Sequence, residues 1–512
     1  MDELPTEISI VTLNCWGLKY ISKYRRERLS EIGKQLAVAD PQPHIVALQE
    51  CWTQEDYQNI RRETRLVLPY GKFYFSGALG GGLAILSRWP IEESTMFRYP
   101  LNGRPTAFWR GDWYVGKGVA CAKIRYGPGP KHVIEVFNTH THAPYESGPN
   151  DSYLCHRTAQ AWEISKLLRG AAERGHLVIG LGDFNMIPLS LEHRLITTHS
   201  PVRDTWRVLH PESSVGKADD PAERARHRPI PTAEFNILEN GATSDGPYNT
   251  WRWSSTQQKL LGPTKSDVVI PPDTVDHKGK RLDYIFASTG DIPSLGGGWV
   301  VSRVSVGMMM RHPDLKCSLS DHFAAEATLT FHPLPTHHHH PSRNETIVDD
   351  DDDDDDDKDL HNGTYLQSPT ASEFRGSKSF DAQLLSFDSQ TQSSFLPPTN
   401  YDDILIMINR YVARERSQRK WRAIHFFVSL AITIACLIGV WFGPHNYVAF
   451  ILMLVSSLGL TAGTIDGLLA LLFFKAELRA LKEFEWEIMN AKAAAGGGIA
   501  LVQEVPDPDR SW

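Results

Sequence analysis

Short apolar runs and helical spacing alternate along the first two thirds of the chain. Residues 8–13, 45–48, 83–86, 117–124, 133–139 and 282–286 are brief apolar stretches closed by polar or turn residues. Runs this short predict buried strands rather than helices. Residues 177–185, LVIGLGDFN, form another such run and end in Gly-Asp-Phe-Asn. Leu29, Ile32 and Leu36 recur at helical spacing within 24–39, and further helices are expected over 53–67 and 151–168. Residues 73–75 and 83–86 read as paired strands across the glycine-rich 77–82, and a last strand runs from Ser320-Asp321-His322 to about Phe331. No internal repeat at a fixed period interrupts this alternation.

The pattern then changes twice. From 333 to 400 apolar residues are sparse; His337 to His340 and nine consecutive Asp (349–357) sit among Ser, Thr and Gln. Such a stretch cannot bury enough surface to offset chain entropy, so an acidic disordered linker is expected over 335–400. Residues 401–422 form a basic juxtamembrane segment with Arg410, Arg414, Arg416, Arg419, Lys420 and Arg422. Residues 423–442 contain no Asp, Glu, Lys or Arg, 443–446 break the run, and a second apolar run follows. Two transmembrane helices are therefore expected over 423–474. Lys475, Arg479 and Lys482 come next, and positive flanks on both outer ends predict that both termini are cytosolic. Asp466 is expected to be solvated near that interface. Leu478, Leu481, Phe484 and Ile488 form an apolar stripe, so 475–512 reads as a cytosolic amphipathic helix and tail.

Composition sharpens the picture in two places. The net charge is −8, and removing the nine charges of the Asp run turns −8 into +1. A near-neutral remainder argues against a protein that coats polyanions. The six Cys are scattered without CxxC spacing, which points to free thiols in a reducing compartment. The first residues, MDELPTE, lack an apolar signal core, so residues 1–334 are expected in the cytosol.

The candidate chemistry gathers at strand ends: Asn14, Glu50, His140, Asp183, Asn185, Asp283 and the Asp321-His322 pair. Open α/β sheets place their sites there. Period-two alternation would put Asp183 and Asn185 on one side of their strand. A carboxylate and an amide so placed can hold a hydrated divalent ion and a phosphate oxygen together.

The ordered set Asn, Gln-Glu, Thr-His, Gly-Asp-x-Asn, Leu-Asp-Tyr, Ser-Asp-His resembles the Mg²⁺-dependent endonuclease/exonuclease/phosphatase superfamily over about residues 8–331. That resemblance implies a DNase I-like α/β fold, a four-layer α/β/β/α sandwich, over 1–334. LNCWGL (13–18), GRPTAFWRGDWYVGKGVA (103–120), and FNTHTHAPY followed by DSYLCHRTAQAWE (137–163) resemble the neutral sphingomyelinase and inositol phosphosphingolipid phospholipase C branch. The branch implies a phospholipase C that cleaves membrane phosphosphingolipids to ceramide and a phosphorylated head group. It also implies roles. Glu50 is a Mg²⁺ ligand, Asn14 and Asp321 help hold the ion, and Mn²⁺ is a possible substitute. His322 is the general base, oriented by Asp283. Asp183 and Asn185 position water and a phosphoryl oxygen. His140 contacts the phosphate or assists the leaving oxygen.

Residues 111–118 resemble a Walker A loop, but Gly118 stands where Ser or Thr must reach Mg²⁺. The phospholipase branch carries an Asp and a Lys five apart, matched by Asp112 and Lys117, for a substrate phosphate or a loop-closing pair. Trp109, Trp113, Trp251 and Trp253 are candidates for either a lipid-facing mouth or core packing. Anionic phospholipids are expected activators, nucleic acid is not an expected partner, and an endomembrane such as the endoplasmic reticulum is the expected location. Three rivals stand beside this reading. A tethered nuclease needs a basic groove. An inositol polyphosphate phosphatase would carry a basic residue soon after GDxN, where Met186-Ile187-Pro188 stands. A catalytically dead membrane scaffold would have no use for the intact polar set.

Overall fold

The computed structural model describes residues 4–146, 151–334 and 395–496. Of the linker expected over 335–400, residues 335–394, with the His and Asp runs, lie outside the described residues, whereas a helix already begins at Pro398. The chain divides into two units, Met1–Pro149 with Gln160–Ser394, and Asn150–Ala159 with Phe395–Trp512.

The first unit holds strands β1 (Glu7–Asn14), β2 (Ile45–Gln49), β3 (Tyr70–Tyr74), β4 (Leu83–Ser87), β5 (Ile91–Arg98), β6 (Gly118–Arg125), β7 (Val133–His140), β8 (Leu177–Asp183), β9 (Arg203–Asp204), β10 (Asp283–Ala287), β11 (Gly297–Gly307) and β12 (Ala324–Pro333). They form two six-stranded sheets, ordered β11-β12-β1-β2-β4-β3 and β5-β6-β7-β8-β10-β9. Side-chain alternation explains why the strands read as apolar runs. Ile8 and Ile10 of β1 join Ile45, Ile85, Ile134, Val136, Ile179 and Leu181 in a core between the sheets. Val11 and Leu13, on the other face, join Leu29, Ile32 and Leu36 of helix α1 (Arg25–Val38) and Ile60 of helix α2 (Gln54–Thr64). Both faces of the central strands are thus covered, which removes the polar half of the alternation. Burying each such side chain contributes about 1.5–3 kcal/mol. On the second sheet, Gly180 of β8 leaves room for Leu168, whose Cδ2 lies 3.0 Å from where a Cβ would stand. These layers are the four expected.

Three strands escaped the sequence pattern, among them β9, which is only two residues long. β5 is an edge strand with mostly exposed side chains, so it carries no apolar run. β11 begins at Gly297-Gly298, which reads as a breaker, yet it pairs along β12 to Gly307.

Pairing registers bring the polar strand ends together. β1 and β2 are parallel with Asn14 opposite Gln49. β7 and β8 are parallel with His140 opposite Asp183, and antiparallel β10 sets Asp283 opposite the same Asp183.

In the second unit, helix α3 (Pro398–Val440) merges the basic segment with the first apolar run. Helix α4 (Asn446–Leu468) continues through a π-helical turn, Leu469–Phe473, into helix α5 (Phe474–Ala495). Two continuous helices, Pro398–Val440 and Asn446–Ala495, are long and apolar enough to cross a membrane. Small residues let them approach: a Cβ on Gly463 would lie 2.4 Å from that of Ser429. Asp466 is paired rather than simply solvated. It accepts from Arg422 and, at 2.8 Å, from His425, both one helix away. Leu478, Leu481, Phe484 and Ile488 of α5 are buried, as are Tyr401, Ile404 and Ile408 of α3, so the stripe serves helix pairing.

Candidate active site

Close backbone approach shapes the site before any side chain acts. Glu50 follows β2 with φ +53°, and Gly17 donates to its carbonyl at 3.0 Å. A Cβ on Gly17 would lie 2.3 Å from that oxygen. Gly182 has φ +134°, and a Cβ there would strike the carbonyl oxygen of Thr139 at 1.9 Å. Both positions therefore require glycine. Beneath them a buried amide pair links the sheets. Gln49 Nε2 donates to Asn138 Oδ1 at 2.7 Å, and Asn138 Nδ2 donates to the carbonyls of Leu48 and Ala84, each at 3.0 Å.

Asn14 Nδ2 bridges the carboxylates of Glu50 (3.2 Å) and Asp183 (3.0 Å). His322 Nδ1 lies 2.8 Å from Asp283 Oδ2. Ligand atoms of Asp183, Asp283 and His322 lie within 4.8 Å of one another. His140 Nε2 is 3.6 Å from Asp183 Oδ2. Asn185 reaches the site by a route other than the pleat. β8 ends at Asp183, and Asn185 has φ +46°. Its N–H donates to Asp183 Oδ1 at 2.9 Å, and its side-chain amide donates to the carbonyl of Thr141 at 3.2 Å. A turn closed on the aspartate, not strand alternation, sets its direction.

Asp321 stands at the rim, 4.0 Å from Arg252 Nη2. Asp112 and Lys117 meet each other: Lys117 Nζ is 3.5 Å from Asp112 Oδ1 and donates to the carbonyl of Thr141 at 3.0 Å. Tyr145 donates to Asp112 Oδ2 at 2.8 Å. The loop-closing ion pair is thus present. Of the four Trp, Trp109 is 95 % exposed, whereas Trp253 is buried and donates to the carbonyl of Pro247. Trp251 packs on Trp16 at 4.7 Å.

Sequence reasoning missed Arg28, a fully buried cation in α1. It donates to the carbonyls of Cys15 (3.2 Å), Trp16 (2.8 Å) and Leu319 (2.6 Å). One side chain therefore fixes the loops bearing Asn14 and His322. Its spacing in α1 continues an ordinary polar face, so only the carbonyls it meets reveal it.

The charges are unevenly settled. Burial and then Asp321 push the Glu50 carboxyl up to about 7. Burial likewise raises Asp183. Burial would lower His322, but Asp283 and Asp183 raise it well above its ordinary value. Burial, Lys117 and His322 hold His140 well below. Glu50 Oε2 and Asp283 Oδ1 are buried without a hydrogen-bond partner. Crowded carboxylates with two orphaned oxygens are what a hard divalent cation satisfies, and the residues fit one.

These strand ends assemble a divalent-metal phosphohydrolase site on a two-sheet sandwich. The chain belongs to the Endonuclease/Exonuclease/phosphatase family, whose model matches residues 11–322, and within it to the inositol phosphosphingolipid phospholipase C and neutral sphingomyelinase branch. It is 36 % identical over 491 residues to "Inositol phosphosphingolipids phospholipase C" of Schizosaccharomyces pombe, covering 96 % of this chain and 95 % of that one. It is 32 % identical over 507 residues to the Saccharomyces cerevisiae protein of the same description, covering 95 % and 90 %. A "Putative neutral sphingomyelinase" of Caenorhabditis elegans is 35 % identical over 288 residues, covering 56 % and 59 %.

Proposed function

We propose that this chain is a Mg²⁺-dependent phospholipase C that cleaves phosphosphingolipids, releasing ceramide and a phosphorylated head group. The observation that carries this reading is the Asp283–His322 pair, held at 2.8 Å across from Asp183 and the Asn14–Glu50 bridge. Glu50 and Asn14 would hold the ion, with Asp321 beside them; Mg²⁺ supplies Lewis-acid polarisation of a phosphoryl oxygen when bound. His322 Nε2 takes a proton from water as the water oxygen bonds to phosphorus, and Asp283 holds the ring through Nδ1. With the carboxylate charge neutralised, His322 returns toward its ordinary value and can accept that proton. Asp183 and Asn185 orient the water and a phosphoryl oxygen. His140, kept neutral, donates toward the phosphate or the departing ceramide oxygen. The bond from phosphorus to that oxygen breaks, the oxygen takes a proton from solvent to give ceramide, His322 returns its own proton to solvent, and the phosphate leaves with the head group. Asp112 and Lys117 close the loop beside the phosphate.

Both termini face the cytosol on this reading, with 443–446 on the opposite side, in an endomembrane. Arg414, Arg416, Arg419 and Lys420 then border an anionic leaflet, where each contributes about 1 kcal/mol, and anionic phospholipid activates. The test is head-group release by the full chain from phosphoinositol ceramide, sphingomyelin and a phosphodiester DNA, with Mg²⁺ and with a chelator. Metal-dependent release from a sphingolipid and none from DNA is expected. Cleavage of DNA alone, or lipid cleavage untouched by chelation, would overturn the reading.

A further inference from the structure

The flank of the site beside β10 carries a charged rim that no step above uses. Ser244 pairs through its backbone with Lys280, at 3.1 and 3.0 Å, and bridges to His322. Asn249 Nδ2 donates to the carbonyl of Ser320 at 3.0 Å, and Trp251 Nε1 to that of Ser318 at 2.9 Å. The segment from 244 to 252 is thereby lashed to the loop that presents His322. Asp245 adopts φ +66°, a conformation uncommon for a residue with a Cβ. Its carboxylate meets Arg252 Nε at 2.8 Å and Lys280 Nζ at 3.1 Å. Arg252 also reaches toward Asp321, the residue before His322, at 4.0 Å. Arg252, Lys280 and Asp245 are 39 %, 27 % and 22 % exposed, so the rim is open to a ligand.

Resting on the phospholipase reading, we infer that Asp245, Arg252 and Lys280 are the head-group subsite and select a polyhydroxylated ring over a quaternary ammonium. A hydroxylated ring phosphate both donates and accepts hydrogen bonds. A guanidinium and an ammonium on either side of a carboxylate match it. A trimethylammonium group makes no conventional hydrogen bonds and seeks an aromatic or anionic box. Arg28 occupies two of the aromatic faces nearby, 4.7 Å from the Trp16 ring and 5.6 Å from that of Trp251. Of the two carboxylates at the rim, Asp245 is already shared by two cations and Asp321 lies 4.0 Å from Arg252.

The test compares phosphoinositol ceramide with sphingomyelin in mixed vesicles, using the full chain. Arg252→Gln and Lys280→Met should each lower the ratio of kcat/KM values, inositol over choline, by about tenfold or more. The change should fall on KM more than kcat, and Lys280→Arg should restore most of the ratio. Soluble inositol 1-phosphate should inhibit the wild type and bind these variants about tenfold more weakly. Parallel loss on both substrates, or an unchanged ratio, would overturn the subsite while the phospholipase reading stands. A wild type that releases no head group yet binds inositol 1-phosphate through Arg252 would overturn that reading and keep the subsite.

Discussion

Asp204 in β9 and Asp283 in β10 lie on neighbouring strands of one sheet, are both buried, and both touch a histidine. Asp204 Oδ2 is 3.0 Å from His193 Nε2, and Asp283 Oδ2 is 2.8 Å from His322 Nδ1. The surroundings separate them. Asp204 also accepts from Arg281 Nη1 and Nη2 at 2.8 and 2.7 Å and from the N–H of Trp206 at 3.1 Å. Burial would raise its pKa, but Arg281 and His193 hold it far below the usual carboxylate range. Asp283 has no arginine; its Oδ1 has no partner, and Asp183 faces it across the ladder. An Asp–His contact is therefore no mark of catalysis. Negative charge left over after every local partner is counted is the mark, because that charge is what a cation and a reacting phosphate engage.

The largest expected effect tests the reactive member. His322→Ala should lower head-group release by roughly 100- to 10,000-fold while circular dichroism stays native. His193→Ala, at the saturated member, should leave turnover per folded molecule near that of the wild type. Equal loss in a folded His193→Ala would erase the distinction.

Stability should divide the other way. Removing one partner of a fully buried ion pair leaves the other charge unpaired, at a cost of about 3–5 kcal/mol. Asp204→Ala and Arg281→Met should therefore lower the thermal midpoint sharply. Asp283→Asn should cost far less, since it relieves repulsion with Asp183. A midpoint for Asp283→Asn as low as that for Asp204→Ala would contradict the division.

Acid should reveal the saturated pair separately. The folded pKa of Asp204 lies below its unfolded value of about 3.9, so its contribution is complete above that pH and fades as pH falls toward the folded pKa. His193, also held low by burial, takes up a proton on unfolding at acid pH in either protein. The advantage of wild type over Asp204→Asn should thus be level from pH 7 to 5 and shrink below about 4. A gap that widens in acid would reverse the sign of the argument.

Much of this contrast was legible in the sequence on one side only. Asn14, Glu50, His140, Asp183, Asp283 and His322 end or adjoin short apolar runs, and the structure gathers all six. Strand alternation does not set the direction of Asn185, because a turn with positive φ just past the strand is invisible to that alternation. Arg281 stands two residues before Asp283, yet its partner Asp204 lies 77 positions away. Arg28 meets Leu319 across 291 positions. Charges that serve the site through distant carbonyls or carboxylates leave no local periodicity. For the same reason Asp466 read as solvated: the pattern showed a charge at the edge of an apolar run but not the two donors on the preceding helix.

Asp466 gives the smallest effect and the widest reach for the comparison, because it lies in the other unit. It accepts from one arginine and one histidine, as Asp204 does, and so falls on the saturated side. Its setting is more open, however: Asp466 is 22 % exposed, Arg422 24 % and His425 47 %. Screening limits such a pair to about 0–1 kcal/mol, and polar contacts between membrane helices average about 0.6. Asp466→Asn keeps an acceptor for both donors, so it should lower the thermal midpoint little. Head-group release from detergent-dispersed substrate should change less than about twofold. Charged residues within apolar helices are also where function concentrates. A folded Asp466→Asn that loses most of its turnover would place this aspartate beside Asp283, and local saturation would then no longer separate structural from catalytic carboxylates in this chain.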